Sequence, residues 1–270
     1  INRYIFIPVF FFFFGLGISF GIAIILFTVL VRIVMSPVTY KSYLSQAKMK
    51  VLRPEITELN EKFKDNPMKK QQETMKLYSK AGVNPMAGCL PALLQMPIFY
   101  ALFQFFPSMF DLRQKSFLWA DDLSSYDSIY QLPFHIPFYG SHVSLFPILA
   151  SIAIFFYMKM TTGDQAMSQP TQEGMPDMGK IMKIMIYVSP IMMLFFFNNY
   201  ASGLSLYYFV SNSITIGIML VIKNYIVKED KIHAQIQENK TKEKKESKFQ
   251  KKMRELMEQA EAQKAAQKKK

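Results

Sequence analysis

No aspartate or glutamate precedes Glu55, and none occurs in the apolar stretches at 84–106, 142–160, 181–197 or 204–225. Proton relays and ion-coupled carriers generally place Asp, Glu or His within the bilayer. The lack of any such carboxylate argues against a proton- or sodium-driven carrier. Cysteine is nearly absent too: Cys89 is the only one in 270 residues. That excludes an intrachain disulfide and a metal site built from a cysteine cluster. The three histidines, His135, His142 and His233, are too scattered to suggest a metal site. No P-loop, HExxH or GxSxG motif occurs, so ATPase and hydrolase readings lack support. No cofactor is expected.

What the chain does hold is apolar and basic. Half of it is hydrophobic, with 25 Phe and 19 Met, and the formal net charge is +12. Several apolar runs reach about 20 residues, the length that a bilayer span needs. The fold class is therefore an all-α polytopic membrane protein. Most lysines and arginines cluster outside the apolar runs. A chain that opens on Ile1 reads as a segment or a processed form of a longer protein.

Residues 1–15, rich in Phe and interrupted by Pro8, read as an amphipathic helix lying on the membrane surface, bent near Gly15 and Gly17. The first span is expected over 16–37, with Pro37 marking a boundary or kink. Residues 38–83 form a polar helical hairpin. Met49, Leu52, Ile56, Leu59 and Phe63 make a thin apolar stripe, and Asn66-Pro67 makes the turn. So thin a stripe suggests a solvated, mobile hairpin. The second span is placed at 84–106, an irregular external loop at 107–140, the third span at 141–160 and a loop at 161–180. The fourth and fifth spans follow at 181–198 and 203–226. Trp119, followed by Asp121 and Asp122, suits an interfacial aromatic. Residues 227–270 form a lysine-rich tail, too polar to build a core. Basic residues crowd the 41–80 hairpin, the ends of the loop near Lys159, Lys180 and Lys183, and the tail, so the positive-inside rule makes these segments cytoplasmic.

Arg32 is the one charge within the first apolar run. Thr28 and Ser36 lie four residues either side of it, on the same helical face. Two readings are open. A long arginine near a helix end snorkels to the headgroups; alternatively, it faces a wet cavity in the bundle. The fifth span offers a matching polar face: Ser205, Tyr208, Ser211, Asn212 and Thr215 follow three-four spacing. With Thr28 and Gln95 these residues would line one hydrated groove. Ordinary hydrogen bonding between helices would produce the same stripe.

The ordered segments AIILFTVLVRIVMSPVTYKS, AKMKVLRPEI, NPMAGCLPALLQMPIF, FLWADDLS and GLSLYYFVSN resemble the YidC/Oxa-type membrane protein insertase family. The match runs through nearly the whole chain. It implies five spans around a hydrophilic groove open to the cytoplasm, and no covalent chemistry. Bacterial members often carry a further amino-terminal span and an external domain. The family's groove arginine falls on Arg32 and its groove threonine on Thr28. Gln95, Met96 and Phe99 fall on the span along which clients slide, and Tyr208 on the opposite wall, beside Ser211 and Asn212. Ser202 stands where the family often has proline, and Ile218 and Met219 where glutamines often follow. The resemblance implies a bacterial inner-membrane protein. Nascent membrane proteins would be its clients, lipids its surroundings and the ribosome a partner of the basic tail. It would act either alone or with the Sec translocon and the signal recognition particle pathway as further partners, and DNA would not be one.

Overall fold

The computed structural model describes residues 2–64, 66–88, 90–162, 178–226 and 229–241. It is a helical membrane protein with one small sheet. A π-helical turn, Asn2–Phe6, leads into α1 (Ile7–Gly15). Gly17 takes a positive φ of 73° at the bend that follows, a conformation that glycine adopts without steric cost. α2 (Phe20–Val51) then runs for 32 residues, roughly 48 Å at 1.5 Å per residue. α1 folds back along it: Phe14 packs on Phe20, and Phe6 and Phe10 pack on Phe27.

α2 passes through Pro37 without ending there, contrary to the boundary expected at 16–37. A proline costs a helix one hydrogen bond, which apolar helices tolerate. The chain bends instead at Leu52, ahead of Pro54, where α3 (Arg53–Lys62) begins. α4 (Pro67–Ala81) is capped by the Asn66 side chain, which accepts from the Lys69 amide at 3.1 Å. It ends at Gly82, with φ of 67°, and the Val83 amide donates back to the Tyr78 carbonyl. This closure is of the Schellman type.

A 3₁₀ turn, Pro85–Gly88, precedes α5 (Leu90–Ser108). The second span thus starts about a turn and a half later than expected, with Pro91 in its first turn, where a missing amide hydrogen costs nothing. The 107–140 segment is less irregular than the sequence suggests. β1 (Tyr130–Ile136) pairs antiparallel with β2 (Gly140–Val143), which places His142 in a strand and not in a span. α6 (Leu145–Thr162), α7 (Met178–Asn198) and α8 (Ser202–Val221) follow, and a π-helical turn, Ile222–Ile226, prolongs α8. Among the described residues, four helices, α2, α5, α7 and α8 with its extension, are long and apolar enough to cross a membrane. α6 is shorter but equally apolar, and it packs along α7 and α8.

α9 (Glu229–Thr241) corrects the expectation that the tail is too polar for a core. Ile232 and Ile236 are buried against Met49, Leu52, Ile56, Tyr78, Ala81 and Val83. Asn239 donates to the Ala81 carbonyl at 3.3 Å, at the end of α4. The hairpin is therefore packed on α2 and α9 as well as on itself. The expected loop at 161–180 lies mostly outside the described residues, as does the tail beyond 241.

Candidate functional site

Two hydrophobic cores leave a polar zone between them. The larger core sits at the end of the bundle where α2, α6 and α8 begin. Its buried members on α2 stop at Phe27, those on α5 start at Ala101, and those on α8 stop at Tyr208. The eight residues of α2 from Phe20 to Phe27 span this plug, roughly 10 Å, against a hydrocarbon thickness of roughly 30 Å. The second core lies beyond the far end of the spans, among α2, α3, α4 and α9. Arg32 falls between the two, about 18 Å along α2.

The plug end is held by a polar clamp whose members sequence reasoning missed. Asn198 is fully buried. Its Nδ2 donates to the Tyr139 and His142 carbonyls at 2.9 and 3.0 Å, and its Oδ1 accepts from the Ser144 amide at 3.0 Å. Its carbonyl accepts from the Ser144 hydroxyl and from His142 Nε2. Asp127 Oδ2 accepts from the Leu145 and Phe146 amides at the start of α6 and from Trp119 Nε1. Burial raises the Asp127 carboxyl above its usual range, although these donors oppose the shift. Trp119 is thus a strut packed on Phe146, 4.5 Å between rings, and not merely an interfacial ring. Ser202, where the family often has proline, donates to the Asp122 carbonyl at 2.9 Å. Phe106 and the Leu123 carbonyl approach Gly203 so closely that no side chain fits there. An asparagine in a tight turn and an aspartate in a loop are common, and only the fold brings these groups together.

Below the plug, Arg32 is half-buried, and its Nε donates to Ser211 Oγ on α8 at 2.6 Å. It reaches sideways into the bundle and is also near Tyr157 of α6, a residue the sequence reading did not single out. Thr28 is fully buried one turn above, with its hydroxyl donating to the Ile24 carbonyl of its own helix. Asn212 and Thr215 likewise bond to Tyr208 and Ser211 carbonyls within α8. Of the polar stripe on α8, Ser211 is the member bonded to Arg32. Ser36 is half-buried on the same face of α2.

Across from α2, the Gln95 amide faces the Tyr208 hydroxyl. Gln95 Nε2, Tyr208 Oη, Tyr207 Oη and Ser205 Oγ are all buried without a hydrogen bond of normal length. Buried polar groups are nearly always paired with protein or water. Of these, Gln95 and Tyr208 lie near Arg32, whereas Tyr207 belongs to the plug core and packs on Phe27. Phe99 contributes an apolar edge, 5.8 Å from the Tyr208 ring. Met96 is exposed, with Leu93 and Leu94, along the half of α5 beyond the plug. The zone thus pairs a polar interior with an open apolar flank. Among the described residues no cluster of His, Cys, Asp or Glu could hold a metal.

A model of the family described as 60Kd inner membrane protein matches residues 9–231. The chain is 48% identical over 261 residues, 94% of its length, to a protein of Parabacteroides distasonis named membrane protein insertase YidC, 40% of which is covered. A Bacteroides fragilis protein of the same name is 50% identical over 225 residues, 83% of this chain and 35% of that protein. A third, from Porphyromonas gingivalis, is 43% identical over 277 residues, all of this chain and 43% of that one. The chain spans about two fifths of the length of these relatives.

Proposed function

This chain belongs to the YidC/Oxa-type family of inner membrane proteins, and from that membership we propose that it integrates newly made hydrophobic segments into a bacterial inner membrane. The observation that carries the reading is Arg32: a half-buried cation at mid-membrane depth, bonded to a neutral serine, with no carboxylate in any span. A buried cation is tolerated where water and neutral polar groups solvate it. The orphaned polar atoms of Gln95 and Tyr208 supply such surroundings.

The groove opens towards the end that carries α3, α4 and α9, where lysines gather, so that end is cytoplasmic by the positive-inside rule. The Phe-rich plug closes the other end. A client's polar tail enters from the cytoplasm and pairs with Arg32 and its polar neighbours. This lowers the cost of bringing unpaired polar groups part-way across. Only the roughly 10 Å plug then separates the tail from the far side. The membrane potential draws an acidic tail outward. The apolar client segment passes along Met96 and Phe99 into lipid, favoured by roughly 25 cal/mol per Å² of apolar surface removed from water. No bond is made or broken, so the protein acts as an insertase without covalent chemistry. Ribosomes would deliver clients, with the Sec translocon or the signal recognition particle pathway as further partners.

The test is reconstitution of the purified protein into liposomes with a single-span client. Protease-protected client, above the level in empty liposomes, supports the reading. Solute flux without client insertion would replace it with a transporter.

A further inference from the structure

The β1–β2 hairpin has an apolar surface that the protein does not cover. Tyr130, Phe134 and Phe138 are 61%, 59% and 90% exposed. In β1, Tyr130, Leu132, Phe134 and Ile136 alternate with Gln131, Pro133 and His135, the period of a strand with one apolar face. Gln131 pairs with His142 and Tyr130 with Val143, and a register irregularity separates Gln131 from Ile136; Gln131, Pro133 and His135 are exposed like Tyr130 and Phe134, so the hairpin stands clear of the bundle on both faces. Phe138 occupies the turn at φ of 67°. A bulky residue is strained there, and contacts within the protein give little in return.

The hairpin is also fixed in position. Asn198 and Asn199, at the end of α7, both donate to the Tyr139 carbonyl, at 2.9 and 2.8 Å. The Tyr139 ring packs on Phe195, 5.3 Å away. The apolar hairpin face therefore continues the outward face of α7, where Ile191, Met192, Phe195 and Phe196 are exposed on a helix suited to cross the bilayer. No charged side chain occurs between Asp127 and Lys159. Aromatic residues, tyrosine above all, favour the boundary between hydrocarbon and water.

We propose that the β1–β2 hairpin is a lipid-binding paddle, seated in the headgroup layer of the leaflet at the Asn198 end of the bundle. Lipid is the occupant because the surface is continuous with the lipid-facing side of α7. The paddle fixes the depth of the plug relative to the bilayer at the end where a client emerges.

The test uses the full chain with Cys89→Ser in phosphatidylethanolamine–phosphatidylglycerol liposomes. Nitroxide is attached at Tyr130→Cys, Phe134→Cys or Phe138→Cys. Collision with oxygen, which concentrates in lipid, is compared with collision with a water-soluble nickel chelate. Asp121→Cys on the exposed loop and Met192→Cys on α7 serve as the water and lipid references. The proposal expects an oxygen-to-nickel ratio several-fold above that of Asp121→Cys at all three hairpin sites. A ratio equal to that of Asp121→Cys would place the hairpin in water and overturn it. Protection from both reagents would mean that another protein surface covers the hairpin, which also overturns it. These side chains are exposed, so the fold does not depend on them. If one variant fails to accumulate, the remaining two sites carry the same comparison.

Discussion

A cation at the depth of Arg32 costs roughly 2.5–3.5 kcal/mol on insertion scales, and its surroundings decide whether it is tolerated or used. A snorkelling arginine would extend along α2 towards the headgroups. Arg32 instead donates sideways to Ser211, at a similar depth on α8. A hydrogen bond to a charged group is worth about 1.5–3 kcal/mol, so Ser211→Ala should free the guanidinium and weaken client insertion without unfolding the chain. Measured insertion equal to wild type would remove Ser211 from the site. The clamp residues make stronger demands. Asn198→Leu strands the Ser144 amide and the His142 carbonyl; at about 1–3 kcal/mol per buried unpaired group, a melting temperature in detergent several degrees lower is expected. Asp127 adds a pH signature. Burial raises its folded pKa above the ordinary value of 3.8, so the native state holds the proton more tightly. Its stabilising contribution is complete below that value and is lost as pH rises through the raised one. Asp127→Asn keeps an acceptor oxygen for Trp119, Leu145 and Phe146. Wild type should therefore lose melting temperature relative to this variant as pH rises above the ordinary value of 3.8; parallel curves would show that Asp127 ionises as an exposed carboxylate does.

Among the elements, α9 changes the picture of the hairpin most. Ile232 and Ile236 complete a core with Leu52, Ile56 and Tyr78, so the hairpin's thin stripe has a partner. Ile236→Asp should speed amide exchange in α3 and α4 by at least tenfold, since a buried unpaired charge costs several kcal/mol. Unchanged protection would mean that the hairpin stands without α9. The signal was in the sequence: two isoleucines four apart within a helix-forming stretch. Lysines on every side masked it, because the average polarity of the tail says nothing about one face. The long helices were legible for the opposite reason, as hydropathy over about 20 residues leaves little choice. Helix ends were less so. Pro37 and Pro54 look alike in sequence, but α2 continues through the first and bends before the second. The Asn198 clamp joins residues more than 50 positions apart, and no local pattern announces it. The polar stripes drew attention to Arg32, Gln95 and Tyr208 and the resemblance to Met96 and Phe99, whereas Tyr157 became visible only once α6 was packed beside α2 and α8.

For the whole molecule, the division into plug, polar zone and second core gives each part a separate job. α9 now belongs with the hairpin, so the basic segment available to a polyanion begins after Thr241. Attraction to headgroups fades within roughly 8 Å at physiological salt, so the distal lysines need another partner, for which ribosomal RNA is suited. Removal of 242–270 should weaken ribosome co-sedimentation at low salt and leave the melting temperature of the core unchanged. Equal binding by the truncated chain at low and high salt would leave the tail as a lipid anchor. The central claim is that Arg32 attracts the client's polar tail. At 4 Å and an effective dielectric constant near 20, a pair of opposite charges attracts by about 4 kcal/mol, and every 1.4 kcal/mol is about tenfold in an equilibrium. The most direct measurement is insertion of a single-span client with an acidic tail into liposomes that hold wild type, Arg32→Lys or Arg32→Ala. The account predicts that Arg32→Lys keeps much of the insertion, since the groove needs a cation more than a fork, and that Arg32→Ala loses at least about tenfold. Insertion by Arg32→Ala at the wild-type level would contradict it.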